Sequence, residues 1–153
     1  MQQQLNSNEQ SQQLSVLALN QFELEHASTK LSKKATVFVN GRLKCLLYPA
    51  KNGRINVLKK KISAYTVVAL KEFGREALES LRQAKGSDDP CLSHRCGTKY
   101  CCDPDHLVIE VKSANNTRIY CQQVLSNAYT ARGEAGVGLL HMAGFCNHNP
   151  SCI

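Results

Sequence analysis

The spacing of apolar positions along this chain switches between helical and strand periods, and the switches mark out its elements. The first thirteen residues, MQQQLNSNEQSQQ, are almost all polar and predict a disordered start over 1–13. Apolar residues then recur at 14, 16, 17, 19, 22 and 24, which predicts a short helix from Leu14 to about His26. The period shortens at Ala35–Val39 and Arg42–Tyr48, joined by Asn40-Gly41. Asn-Gly supplies the positive φ angles of a tight turn, so this stretch predicts a β-hairpin. A second Asn-Gly at 52–53 leads into a predicted strand, Arg54–Leu58, giving three antiparallel strands. Positions 62, 64, 65, 67, 68, 70 and 73 then fit a helix from Lys60 to Phe73, stopped by Gly74, with a second helical piece from Arg75 to Ala84. After a turn-rich linker over 85–90, Leu107–Val111 predicts a strand and Ser113–Gln123 a helix with Ser113 as its N-cap. Periodicity then fades, leaving a mostly apolar run from Val137 to Ala143.

Charge changes how the predicted strands are read. The net charge is +7, and from Lys30 to Lys61 there are ten Lys or Arg and no Asp or Glu. A solvated face would carry interspersed acids, so a one-sign block this clean predicts a polyanionic partner, with nucleic acid the first choice. A β-ribbon can enter a DNA major groove, and strand alternation puts Arg42 and Lys44 on one face with Leu43 and Cys45 on the other. Arg42, Lys44, Lys51, Arg54, Lys59, Lys60 and Lys61 are the candidate contacts to double-stranded DNA. No run approaches the roughly 18 apolar residues of a membrane span, and no secretory signal is visible, so the expected setting is intracellular, not secreted, with no membrane partner.

Composition leaves the fold short of oil. Trp is absent, aromatics make up 6% of the chain, and the hydrophobic 42% includes eight cysteines. Those cysteines are either four disulfides or a set of metal ligands, and the intracellular expectation and their spacing favour metal. Structural zinc takes four Cys or His ligands, often two to five residues apart on one loop. Cys96-x4-Cys101-x4-His106 supplies three, and Cys146-x-His148-x3-Cys152 three more. Cys121 is well placed to complete the second set. Either Cys45, from the hairpin, or Cys91 completes the first. Two zinc ions would also supply stabilisation that the sparse core lacks.

His94 is left outside both sets. It lies on a loop that metal would rigidify, where a neutral imidazole suits general-base work near pH 7. Asn115, on the helix that follows the next strand, would add an oxygen ligand, so that two strands and a helix surround a single hard metal ion.

At this point the residues resemble a family, the His-Cys box homing endonucleases of the ββα-metal, or His-Me finger, nucleases. The resemblance is carried by Ser93-His94-x-Cys96-x4-Cys101-x-x-Pro104-x-His106-Leu107, Asn115, Arg118, Cys121 and Cys146-x-His148-x3-Cys152, and more weakly by the basic stretch over 30–75. It implies an α+β fold: a zinc-stapled ββα-metal nuclease fold with an antiparallel DNA-binding ribbon, flanking helices and two structural zinc sites. Within one zinc-stabilised domain over 14–153, the ribbon would take 30–61, the active site 91–123 and the C-terminal zinc site 121–152. His94 would activate water, and Asn115 would ligate a catalytic Mg²⁺. Cys45, Cys96, Cys101 and His106 would bind one zinc, which favours Cys45 over Cys91, and Cys121, Cys146, His148 and Cys152 the other. Arg54 is the best match for an arginine that assists the scissile phosphate, with Lys59 in reserve. Cys91 and Cys102 have no role in this scheme.

The expectation is thus a Mg²⁺-dependent, site-specific endonuclease of the intron-homing type, nuclear by resemblance. Its rival is a zinc-stabilised DNA-binding module that uses the same ribbon but has no need of His94 and Asn115. A near-palindromic target would be read most economically by a two-fold homodimer.

Overall fold

A computed structural model of the chain describes residues 14–153, and the disordered start expected over 1–13 lies outside the described residues. Leu14 does not open a helix. A single 3₁₀ turn, Ser15–Ala18, comes first, and the first α-helix, α1, runs over Gln21–Lys34. Its start is set by a capping box. Asn20 Oδ1 accepts from Glu23 N at 2.9 Å, and Glu23 Oε2 accepts from Asn20 N at 3.0 Å, which satisfies two amide groups that the first turn leaves unpaired. Glu23, Ala27 and Leu31, spaced at i+4, form its buried face, while Lys33 and Lys34 sit where the helix dipole favours cations.

The predicted hairpin forms as β1, Thr36–Asn40, paired antiparallel with β2, Leu43–Leu47. The third predicted strand does not join it. β3, Arg54–Val57, pairs instead with β4, Lys60–Ser63, so the basic block is divided between two separate two-stranded sheets. β4 occupies the stretch expected to open a helix. Its alternation, exposed Lys61 against buried Ile62 opposite Ile55, is a strand pattern that the adjoining apolar run of the helix conceals. The helix, α2, therefore begins at Ala64 and runs to Leu81, broken as expected at Gly74, which takes φ +82.

β5, Pro90–His94, pairs antiparallel with β6, Leu107–Val111, and α3 follows at once over Lys112–Met142. Ser113 is inside this helix rather than capping it. The linker supplies the missing partners: Asp89 O accepts from Lys112 N and Ser87 O from Ser113 N, both at 3.0 Å. α3 also continues far past Gln123, through the segment whose periodicity fades, with a break at Gly133, where φ is +62.

The main core collects Val16 and Leu17, Ala27 and Leu31 of α1, Ile55, Val57 and Ile62 of the β3–β4 pair, the Ala64–Leu70 face of α2 and Leu107 of β6. The second half of α3 lies outside it, in a small cluster of its own with Leu125 and Val137 beside Cys121 and Cys152. The chain is thus a mixed α+β protein with small antiparallel sheets and, among the described residues, three α-helices. None of these helices is long and apolar enough to cross a membrane.

Candidate metal centres and active site

Two groups of four soft ligands come together. Cys45, Cys96, Cys101 and His106 form one, and Cys121, Cys146, His148 and Cys152 the other; within each, the candidate ligand atoms all lie within 4.8 Å of one another. Tetrahedral zinc with Zn–S near 2.3 Å and Zn–N near 2.05 Å would put sulfur and nitrogen about 3.6 Å apart. His106 Nδ1 lies 3.4 Å from Cys101 Sγ and 3.9 Å from Cys45 Sγ, while His148 Nδ1 is 3.5 Å from both Cys146 Sγ and Cys152 Sγ. All eight cysteines are free thiols.

Thiol acidity also calls for a cation. Cys96 is driven down by its contact with Cys101, whereas the same contact, with burial, drives Cys101 up, and burial raises Cys45. In the second group burial raises Cys121 and Cys152. Burial opposes ionisation of Cys146 too, but the Cys152 amide at 3.2 Å and His148 outweigh it and bring this thiol down to about 6. Three crowded sulfurs cannot all ionise unaided, and a divalent cation removes the conflict by accepting them together as thiolates. The donor set, spacing and crowding fit one zinc ion in each group.

The outer partners of the two histidines differ. Thr117 Oγ1 lies 3.0 Å from His148 Nε2 and gives its only hydrogen to Ala114 O at 2.9 Å, so it accepts from Nε2 and leaves Nδ1 bare towards the sulfurs. His106 turns Nε2 towards Asp103 Oδ2, at 3.9 Å.

Between the first group and α3 lies His94. Its Nε2 is 2.9 Å from the carbonyl oxygen of Cys101, which can only accept, so the ring proton is on Nε2 and the Nδ1 lone pair is open. The ring packs edge-on against Tyr65 at the start of α2, with centroids 5.0 Å apart. Burial lowers its pKa to about 4 against the opposing pull of the Cys101 carbonyl, so the imidazole is neutral at physiological pH. Next to it, buried Ser93 donates from Oγ to Asn115 Oδ1 at 2.7 Å, which fixes the amide of Asn115 with its oxygen towards β5. His94 and Asn115 thus sit at the end of a strand and the start of a helix tied together across the β5–β6 pair.

Several residues to which the sequence assigned no role complete this frame. Gln122 Nε2 donates to the main-chain oxygens of both His94 and Arg95, at 2.8 and 2.7 Å, and a Cβ at Gly97 would lie 2.7 Å from its Oε1. Arg95 reaches Ser151 O at 2.9 Å and Asp105 O at 3.0 Å, bridging the loops of the two ligand groups. Arg118, fully buried, forms a bidentate pair with Glu110 at 2.9 and 2.6 Å and also donates to Pro150 O. Burial pulls the Glu110 carboxyl upward, but Arg118 overcomes it and holds the group below the usual carboxylate range. Only Ser93 and Arg118 carried a signal, both from the motif around His94; Gln122 and Arg95 act through main-chain oxygens, which no residue pattern encodes.

The two leftover cysteines stay outside both groups. Cys91 is pushed up to about 11 by burial beside Glu110, and Cys102, pushed up to about 12 by burial, donates from Sγ to Leu46 O at 3.1 Å. Of the candidate DNA contacts, Arg54 follows Gly53 (φ +59), which packs so closely on Tyr100 that a Cβ would lie 2.8 Å from its Cβ. The start of β3 therefore abuts the loop whose next carbonyl, that of Cys101, holds His94. Lys44, Lys51, Lys59 and Lys61 are exposed, Arg42 lines a groove between the β1–β2 turn and α3, and the Lys60 ammonium meets Glu23 at 2.9 Å and Ala18 O at 3.1 Å.

Among curated proteins and solved structures, no match to the chain is found. A family model does match: the one described as the zinc-binding loop region of homing endonuclease covers residues 25–153, nearly all of the chain, including both ligand groups, His94 and Asn115. The chain therefore belongs to the His-Me homing endonuclease family.

Proposed function

We propose that the protein is a Mg²⁺-dependent, site-specific endonuclease of the intron-homing type that hydrolyses phosphodiester bonds in double-stranded DNA. The observation that carries this reading is the contact between His94 Nε2 and the Cys101 carbonyl. It leaves Nδ1 as a neutral, correctly tautomeric base, and a base held in that state removes a proton from an attacking water without first having to lose its own.

Asn115 fits a hard divalent cation by its donor chemistry. Its amide oxygen has two lone pairs, one taken by Ser93 Oγ–H, and Mg²⁺ commonly takes few protein ligands beside waters and substrate phosphates. Bound there, such an ion would neutralise charge on the scissile phosphate and the leaving 3′ oxygen. This chain's own groups do the rest. His94 takes the water's proton at Nδ1, Gln122 and the Cys101 carbonyl fix its position, and Arg54 lends positive charge beside the reacting phosphate. Arg42, Lys44, Lys51, Lys59 and Lys61 neutralise flanking phosphates, while Lys60, engaged by Glu23, adds charge more than contact. A two-fold dimer would present two such sites to a near-palindromic target.

The test incubates supercoiled plasmid and a random-sequence duplex library with zinc-loaded protein and Mg²⁺, beside His94→Ala. We expect cleavage by the wild type and a loss of about 100-fold or more in the variant. Cleavage that His94→Ala retains would remove the base, and binding without cleavage of any duplex would leave a DNA-binding module.

A further inference from the structure

The β3–β4 hairpin turns through two residues, Leu58 and Lys59, since Val57 pairs with Lys60. Leu58 takes φ +53, a conformation that two-residue turns normally give to glycine and that a branched side chain adopts only under strain. Two other tight turns keep to glycine or asparagine at such positions, with Gly41 at φ +58, and with Asn52 and Gly53 both at φ +59. Tyr100 also has positive φ, but its side chain packs on Gly53 and under the Lys99 ammonium. Leu58 has no such reason, because it is 67% exposed at the hairpin tip. An isobutyl group has been put where the backbone asks for none, and no described residue covers it.

Its surroundings say what would cover it. Exposed Lys59 adjoins it, and the outer face of the pair carries Asn56 opposite Lys61, with Arg54 further back. This surface is cationic with an apolar point, which fits the major groove: phosphates along its walls and the thymine C5-methyl as the apolar feature on its floor. Leu58 lies four residue steps from Arg54, at about 3.4 Å each, so the tip would reach roughly four base pairs from the phosphate that Arg54 adjoins. Resting on the DNA-cleaving function proposed above, we propose that Leu58 is a specificity-determining residue that packs on a thymine methyl in the major groove, about four base pairs from the cut.

The test measures binding, so it does not depend on turnover. A duplex pool is enriched from random sequence by repeated selection on the zinc-loaded protein in Ca²⁺, then amplified with either dTTP or dUTP; uracil lacks only the methyl group. Wild type should bind the thymine pool about three- to four-fold more tightly, the worth of one buried methyl. Leu58→Gly and Leu58→Ala should bind both pools alike, and Leu58→Gly, freed of the backbone strain, should melt no lower than wild type. If wild type binds duplex but is indifferent to uracil, or if either variant keeps the thymine preference, the assignment is wrong while the nuclease reading stands. If wild type binds no duplex of either pool, both fall together.

Discussion

The two ligand groups have the same composition, three cysteines and one histidine, yet they are built in opposite ways. The first is long-range: Cys45 comes from the β1–β2 hairpin, and Cys96, Cys101 and His106 from the connection between β5 and β6. The second is nearly local, closing the end of the chain onto one helix position, Cys121. The first also shares its backbone with the candidate base, since Cys101 supplies both a sulfur to the group and the carbonyl that orients His94. Among the described residues, the second meets the candidate active site indirectly, through Arg95 and through the Arg118–Glu110 pair. On the proposed reading, identical ligands serve as part of the catalytic frame in one place and as a clamp in another.

The largest effect should come from splitting that pair. Cys101→Ser and Cys146→Ser should each reduce bound zinc from two ions to one, read by elemental analysis, and each should cost several kcal/mol of stability. Cleavage should separate them. Cys101→Ser should abolish it, because the loop that fixes the His94 tautomer loses its anchor. Cys146→Ser should keep measurable activity below its lowered melting temperature, because Gln122 still ties α3 to β5. Equal loss in both variants would erase the distinction between frame and clamp.

The sequence disclosed the two groups unequally for the same reason. Cys146, His148 and Cys152 could be read from spacing alone, as could Cys96, Cys101 and His106, because local ligands leave a local pattern. Spacing could not tell Cys45 from Cys91, since a long-range ligand leaves no local pattern; only the family resemblance favoured Cys45, and the β1–β2 hairpin brings it to the group. The same limit explains the errors in the fold. β4 was hidden against a helix because its four residues run straight into the apolar face of α2, and the length of α3 was hidden by Gly133 and by an apolar face that packs only on its own small cluster. His94 and Asn115 could be nominated because their surroundings form a dense motif, whereas Gln122, which braces the His94 strand, bonds to main-chain oxygens and leaves no pattern.

Next in size is the ion pair that stands between the regions. Arg118→Leu would strand a buried carboxylate at Glu110 and should cost about 3–5 kcal/mol, measured by denaturant melts of the zinc-loaded protein. Its pH dependence has a definite sign. The folded pKa of Glu110 is depressed, so the pair's contribution is fully present above the ordinary carboxylate range and is lost as pH falls through the lower folded value. The stability gap between wild type and Glu110→Gln should therefore be constant near neutrality and shrink on acidification. A gap that widened with acid would contradict the pairing.

The smallest effect lies in the outer partners of the two histidines, and it sharpens the comparison. His106 faces a carboxylate and His148 a hydroxyl. A carboxylate behind a ligating imidazole raises its basicity and holds its tautomer, whereas a hydroxyl does mainly the second. Asp103→Asn is a clean probe, because the amide oxygen can still accept from Asp105 N as Asp103 Oδ1 does at 3.0 Å, so the turn survives while the charge goes. Thr117→Val removes the hydroxyl at equal size. Each should weaken zinc about tenfold at its own site and leave the other unchanged, as read by competition with a chromogenic chelator. The affinity lost in Asp103→Asn should depend on ionic strength, since a charge behind the ring is screened by salt, and that lost in Thr117→Val should not. A salt-independent loss in Asp103→Asn would mean that the carboxylate, at 3.9 Å, acts on His106 only by shape. The two groups would then differ in where their ligands come from and in nothing electrostatic.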